Sequence, residues 1–343
     1  MPKPRVFVTM ELPVPTLRRR AKAGRRAGDA TSRLREVADV DVWTEEEPPS
    51  HDELVRRAGD ADALLTMLSE PIDAAVLDAG SRLRVVAQMA VGYDNIDVAA
   101  ATERGILVTN TPGVLTETTA DLTFALLLAA ARRVVEGDRL TRTGGWKSWH
   151  PSFLLGQDVH GATLGIVGFG KIGQAVARRA RGFEMRILYY SRTRQPEAET
   201  TLGAEYAELE RLLRESDFVS LHVPLTPETR RLIGERELAL MKPTAILVNA
   251  ARGAIVDQRA LYAALKERRI AAAGLDVAET EPIPPDEPLL TLDNVVITPH
   301  IGSASVATRR RMAEMAVESI MQALRGETPT HCVNPEALAR QNR

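Results

Sequence analysis

Thr163-Leu-Gly-Ile-Val-Gly168-Phe-Gly170-Lys171-Ile172-Gly173 spaces three glycines as G-x-G-x-x-G, between an apolar run and a helix-forming segment. In that context Gly168 permits a tight turn, Gly170 lets backbone approach a pyrophosphate, and Gly173 lets a helix pack close to its strand. The helix N-terminus adds free amides and the positive end of its dipole. This is chemistry for holding a dinucleotide. An NAD site usually places a carboxylate at the end of the next strand, on the ribose hydroxyls. Here the next run, Arg186-Ile-Leu-Tyr-Tyr190, ends in Ser191-Arg192-Thr193-Arg194, and the only carboxylate between Gly173 and that point, Glu184, precedes the strand. A hydroxyl and two guanidiniums suit a 2′-phosphate, which Arg binds through charge-assisted bonds. NADP(H) is therefore preferred, with NAD(H) as the alternative.

Three ionisable residues follow three further predicted strands. Arg252 comes after Ala245–Asn249, Glu281 a few residues beyond Ala272–Val277, and His300 after Val295–Thr298. In an open α/β sheet the carboxyl ends of the strands are where ligands bind. The set suits hydride transfer to a carbonyl carbon. His supplies the proton near neutral pH, a neighbouring carboxylate favours the imidazolium, and Arg252 grips a substrate carboxylate. Asp276 and Glu279 compete with Glu281 as the partner, and His222, in His222-Val223-Pro224, competes with His300 but is placed more naturally beside the cofactor. The chemistry points to reduction of a small 2-oxoacid.

Positioning these residues requires alternating elements. Apolar runs are predicted as strands at Arg5–Thr9, Ala63–Thr66, Arg84–Ala87, Leu107–Thr109, Thr163–Val167, Arg186–Tyr190 and Phe218–His222, besides the three above. Many lack period-two polar alternation and read as buried on both faces, with helical stretches between them, so the expectation is α/β with parallel sheets. The longest helix is expected over Glu117–Thr141. Turn-forming Thr109–Gly113 and the proline-rich Glu281–Pro288 read as connections. The basic cluster Arg18–Arg26 reads as a solvated helix face.

The 343 residues are about twice a typical ~150-residue domain, which predicts two domains. A hydrophobic content of 44 % with 26 % charged residues excludes a wholly disordered chain, and 44 Lys and Arg against 46 Asp and Glu leave no basic excess for nucleic acid. The single cysteine, Cys332, with six scattered histidines excludes a zinc-type cluster and suits a reducing cytoplasm. The most apolar run, Leu122–Ala131, is far shorter than the roughly 20 residues of a bilayer span, so no membrane partner is expected.

Ordered along nearly the whole chain, Val91–Asp97, Gly168–Gly173, His222–Leu225, Val248–Gly253, Gly274–Val277 with Glu281-Pro282, and Thr298–Ser303 resemble the blocks of the D-isomer-specific 2-hydroxyacid dehydrogenase family. Leu65–Ser69, Tyr189–Thr193 and Trp146–Trp149 are most similar to its glyoxylate/hydroxypyruvate reductases. The resemblance implies NAD(P)H-dependent conversion of glyoxylate to glycolate and hydroxypyruvate to D-glycerate. Alternatives are another D-2-hydroxyacid specificity or a dinucleotide-sensing, corepressor-like protein. It implies Arg252 at the carboxylate, His300 as acid/base and Glu281 as its partner, with Leu68, Val91 and Gly92 helping to hold substrate. At the cofactor it implies Gly170, Lys171, Ile172, Val223, Thr229, Ala250, Asp276 and Gly302, and for an NADP form Ser191, Arg192 and Thr193. It implies a homodimer in which Trp149 reaches the partner's site. It also implies a Rossmann-type cofactor domain over residues 108–297, inserted in a discontinuous flavodoxin-like substrate domain of residues 1–107 and 298–343.

Overall fold

The computed structural model describes residues 2–13 and 30–341. The basic cluster Arg18–Arg26 lies outside them. The chain divides into two compact units, residues 1–115 with 304–343, and residues 116–303.

In the first unit, β1 (Arg5–Val8), β2 (Asp39–Val42), β3 (Ala63–Thr66), β4 (Val85–Gln88) and β5 (Leu107–Thr109) form one sheet in the order β2-β1-β3-β4-β5. Every pairing is parallel. β3, β4 and β5 bury all their side chains, which parallel strands do when helices cover both faces. The 19-residue helix Val306–Leu324 belongs to this unit and starts at Ser305, whose hydroxyl accepts from the Thr308 amide.

The second unit holds β6 (Thr163–Val167), β7 (Arg186–Tyr190), β8 (Ala204–Tyr206), β9 (Phe218–Leu221), β10 (Ile246–Asn249), β11 (Ala272–Leu275) and β12 (Val295–Ile297), ordered β12-β11-β10-β9-β6-β7-β8. All pairings are again parallel. The direction of succession reverses between β6 and β9, the switch point at which doubly wound sheets bind ligands. One apolar cluster gathers Phe124, Leu127, Val176 and Ile187; a second, including Val167, Leu212, Leu247 and Leu265, draws on the alternate strand residues.

Two strands went unread in the sequence, β2 and β8, and both are sheet edges. Asp39-Val-Asp-Val and Ala204-Glu-Tyr carry acidic residues and bury only part of their length, so neither shows the apolar run that marks a central strand. The single helix expected over Glu117–Thr141 is two, Thr116–Ala131 and Val134–Arg142. Arg133 between them adopts a left-handed φ of 54°, and its guanidinium returns to Glu136 at 2.7 and 2.8 Å. The apolar Leu122–Ala131 segment is the end of the first helix, and among the described residues no helix is long and apolar enough to cross a membrane.

Candidate active site

Strand register fixes one rim of the second sheet. Val167 is opposite Tyr190 and Leu221, Leu221 opposite Asn249, Asn249 opposite Leu275, and Leu275 opposite Ile297. Gly168, Ser191, His222, Ala250, Asp276 and Thr298 therefore leave the sheet at the same edge. Every candidate in this unit except Trp149 follows from one of those exits.

At the glycine turn, Gly168 has φ +98°, and a Cβ there would lie 2.6 Å from the His222 carbonyl carbon and 2.7 Å from the Val223 nitrogen. Only glycine fits both the conformation and the approach. A Cβ on Gly173 would meet the Gly168 carbonyl at 2.2 Å, whereas one on Gly170 would meet nothing within 4 Å. The space over Gly170 is thus open where the 11-residue helix Lys171–Arg181 begins, and the amides of its first turn, including Ile172, have no helical acceptor. These features fit a bound pyrophosphate. Across from them, the Thr229 hydroxyl donates to the Pro224 carbonyl at 2.6 Å and accepts from the Thr226 amide at 2.8 Å, closing the loop that carries Val223 and Pro224.

The strand-end run differs from the sequence expectation at one residue. Ser191 turns its hydroxyl to the Thr193 carbonyl at 2.5 Å, and Arg192 and Thr193 are exposed. Arg194, read as a second guanidinium for a phosphate, is instead paired with Glu199 through Nη2–Oε2 at 2.7 Å and Nε–Oε1 at 3.1 Å. Glu199 sits one turn into the next helix, where no strand-end pattern reveals it.

Arg252, Glu281 and His300 are built on three interlocked loops. Asn249, 1 % exposed, accepts from the Ala251 amide at 3.0 Å and donates to the Arg252 carbonyl at 2.8 Å, so a buried amide shapes the turn that carries the arginine. A Cβ on Gly253 would come within 1.9 Å of the Ala278 carbonyl carbon and 2.4 Å of the Glu279 nitrogen. The Arg252 loop therefore lies directly against the loop leading to Glu281. Gly253→Ala must push the two apart, and is expected to destabilise the unit by about 1–3 kcal/mol in urea unfolding while lowering turnover; wild-type behaviour in both would contradict this packing.

His300 has φ 53°, a conformation that is uncommon for a non-glycine residue and persists where its surroundings impose it. Asp276 does so from a 1 % exposed position. Its Oδ1 accepts from the Thr298 hydroxyl at 2.6 Å and the Ile301 amide at 2.8 Å, its Oδ2 from the Gly302 amide at 2.7 Å, and its carbonyl from the His300 amide at 2.9 Å. Held in this way, His300 Nδ1 lies 2.6 Å from Glu281 Oε2. Burial pushes the Glu281 carboxyl up, but the bond to His300, the charge of His300, the Ala278 amide at 3.0 Å and the Arg252 guanidinium together hold it below the usual carboxylate value. Of the competing partners, Asp276 is taken by its own turn and Glu279 pairs with Arg231 at 3.2 Å.

His222 is a poor rival acid. Its Nε2 is 2.8 Å from the Ser220 hydroxyl, its Nδ1 is buried without a partner, and burial pushes the imidazole down to about 4. Between pH 6.5 and 4 the unfolded chain binds this proton and the folded chain does not, so stability falls as the solution is acidified. Between pH 7 and 5 the loss is about 2 kcal/mol. Denaturant titrations of His222→Gln should show a smaller drop over that interval than wild type; an equal drop would remove His222 as its source.

In the first unit, Leu68 lies on the loop after β3, and Val91 and Gly92 on the loop after β4. Gln88 Nε2 donates to Asn95 Oδ1 at 2.8 Å and the Gly92 carbonyl at 3.4 Å, Asn95 Nδ2 to the Met67 and Glu70 carbonyls at 3.1 and 2.7 Å, and Asn110 Nδ2 to the Val91 carbonyl at 2.8 Å. The two loops are thus tied to each other. Trp149 is 77 % exposed. Asn249 and Asn95 were missed in the sequence; the one available sign was an amide ending the apolar run Ile246-Leu-Val-Asn249.

Comparison with known proteins agrees with this geometry. Residues 124–302 match the family model for the D-isomer specific 2-hydroxyacid dehydrogenase, NAD binding domain. The chain is similar to a glyoxylate reductase of Korarchaeum cryptofilum, 60 % identical over 337 residues, covering 98 % of this chain and 97 % of the relative. A crystal structure of a Thermus thermophilus protein superposes with a TM-score of 0.87 at 51 % identity, covering 96 % of this chain and 99 % of the other. An NADPH-dependent glyoxylate/hydroxypyruvate reductase from Sinorhizobium meliloti, in complex with NADP and malonate, gives a TM-score of 0.81 at 32 % identity, with 98 % of both chains covered.

Proposed function

Because the chain belongs to the D-isomer-specific 2-hydroxyacid dehydrogenase family, we propose that it reduces glyoxylate to glycolate and hydroxypyruvate to D-glycerate with NADPH, using His300 as the acid. The observation that carries this reading is the 2.6 Å contact of His300 with Glu281, on the sheet edge that also carries Arg252 and the glycine turn.

A bound nicotinamide dinucleotide would supply the two electrons and one hydrogen as a hydride to the carbonyl carbon. The Gly168–Gly173 turn with Lys171 and Ile172, the loop Val223–Thr229, Ala250 and the Asp276–Gly302 turn would hold it, and Ser191, Arg192 and Thr193 would meet a 2′-phosphate. Arg252 binds the carboxylate of the oxoacid, which orients the neighbouring carbonyl. His300 gives the proton from Nε2 to the carbonyl oxygen, because Nδ1 faces Glu281. Glu281 stays ionised at working pH and stabilises the imidazolium that must be present before transfer. Glu281→Gln removes that charge, so kcat for reduction is expected to fall. An unchanged kcat would separate Glu281 from the proton step.

Trp146, Trp149 and Leu155 are 58, 77 and 66 % exposed within one short stretch. Such apolar exposure commonly marks an association surface, and it supports a homodimer covering this stretch. Sedimentation at micromolar concentration tests it: twice the chain mass is expected, and a monomer would remove the interface. The single thiol, Cys332, supports a cytoplasmic setting.

Steady-state kinetics on both oxoacids with each dinucleotide tests the cofactor reading. Higher kcat/KM with NADPH supports it, and a preference for NADH would overturn the 2′-phosphate assignment while leaving the reaction.

A further inference from the structure

The run Ser191-Arg192-Thr193-Arg194 offers two guanidiniums to any anion beyond β7, and the fold gives them different fates. Arg192 is exposed. Arg194 is held by both oxygens of Glu199, at 2.7 and 3.1 Å, and its guanidinium carbon lies 5.4 Å from the centre of the Tyr206 ring.

Glu199 is itself anchored. Its side chain is 19 % exposed. Its Oε1 also accepts from the hydroxyl of the buried Tyr189 at 2.5 Å, and that hydroxyl accepts from the Gln195 amide at 2.9 Å. A carboxylate fixed between a buried phenol and the following helix cannot swing away to release its arginine cheaply. The pair as a whole carries no net charge, so of the two arginines it is Arg192, whose charge also acts on the Glu228 carboxylate, that is left to meet an approaching phosphate.

We propose that Glu199 is a selectivity-determining residue that keeps Arg194 from contributing to recognition of the adenosine 2′-phosphate, leaving that role to Ser191, Arg192 and Thr193. The inference rests on reading this run as the phosphate contact. Its consequence is that selectivity for NADPH is below what the two arginines would give if both were released. Glu199→Gln preserves size and an acceptor for Tyr189 but removes the charge that binds Arg194, which then becomes a second donor fork for the phosphate.

The test measures kcat/KM for NADPH and for NADH, at saturating oxoacid, in wild type, E199Q, R194A, the E199Q/R194A double variant and R192A. E199Q is expected to raise the NADPH-to-NADH ratio about fivefold, the order of one partly exposed charge pair. R194A leaves the Glu199 carboxylate unpaired and should lower the ratio by no more than about fivefold, the same single charge acting in the opposite sense. The double variant should return the E199Q gain to the wild-type ratio. A folded E199Q with an unchanged ratio, or an R194A variant that loses tenfold or more, would overturn the role of Glu199. R194A is a surface substitution, so it decides the matter even where E199Q fails to fold. A wild-type enzyme without NADPH preference, together with an R192A variant of unaltered ratio, would instead show that the run does not meet the phosphate at all.

Discussion

Replacing His300 with alanine is expected to lower kcat for glyoxylate reduction by about 10²–10⁴-fold, the contribution of a positioned general acid, with little change in the affinity for the dinucleotide. The size follows from the geometry. His300 is held in a left-handed conformation by the Asp276 turn, and its Nδ1 is fixed on Glu281 at 2.6 Å, so Nε2 is the ring nitrogen left to give a proton. No neighbouring group replaces it. His222 is uncharged at neutral pH because burial pushes it down to about 4, and Glu281 is held ionised. Single-turnover measurement under saturating oxoacid isolates the proton step, and a rate within threefold of wild type would remove His300 from the role.

The second large effect is expected at Arg252. Arg252→Ala leaves a substrate carboxylate without its charge-assisted fork, and KM for glyoxylate should rise by roughly 30-fold or more, the order found when one member of a close charge pair is lost. Because the same grip orients the carbonyl, kcat should fall as well. Arg252→Lys keeps the charge but not the planar fork and should recover only part of the loss. Asn249 and Gly253 hold this loop from below, so thermal melting of the two variants close to wild type is expected. An unchanged KM in Arg252→Ala would contradict the clamp.

Much of this site was legible in the sequence because its signals are local. The glycine turn is written in six consecutive residues, Gly168 to Gly173, whose neighbours on both sides state the strand and the helix. Arg252, Glu281 and His300 could be gathered because each trails an apolar run, and parallel strands in register bring their ends to one edge. What escaped depends on contacts between distant or edge segments. β2 and β8 bury too little to show an apolar run, and the alternation of Asp39-Val-Asp-Val spans only four residues. The break at Arg133 arises from a left-handed residue whose side chain pairs one turn ahead, and nothing in the arginine itself announces that. Arg194 read as a phosphate ligand because its partner, Glu199, belongs to the following helix. Asn249 was passed over as the end of a strand, although a buried amide that ties down two backbone groups of the Arg252 turn is the reason that arginine is placed at all.

The measurement that bears most directly on the central claim is the oxidation of NADPH by the purified protein on adding glyoxylate, followed by identification of the product. Absorbance loss that requires glyoxylate, matched mole for mole by glycolate and abolished to within a few per cent in His300→Ala, is the result expected. Dinucleotide binding without turnover on either glyoxylate or hydroxypyruvate would contradict it.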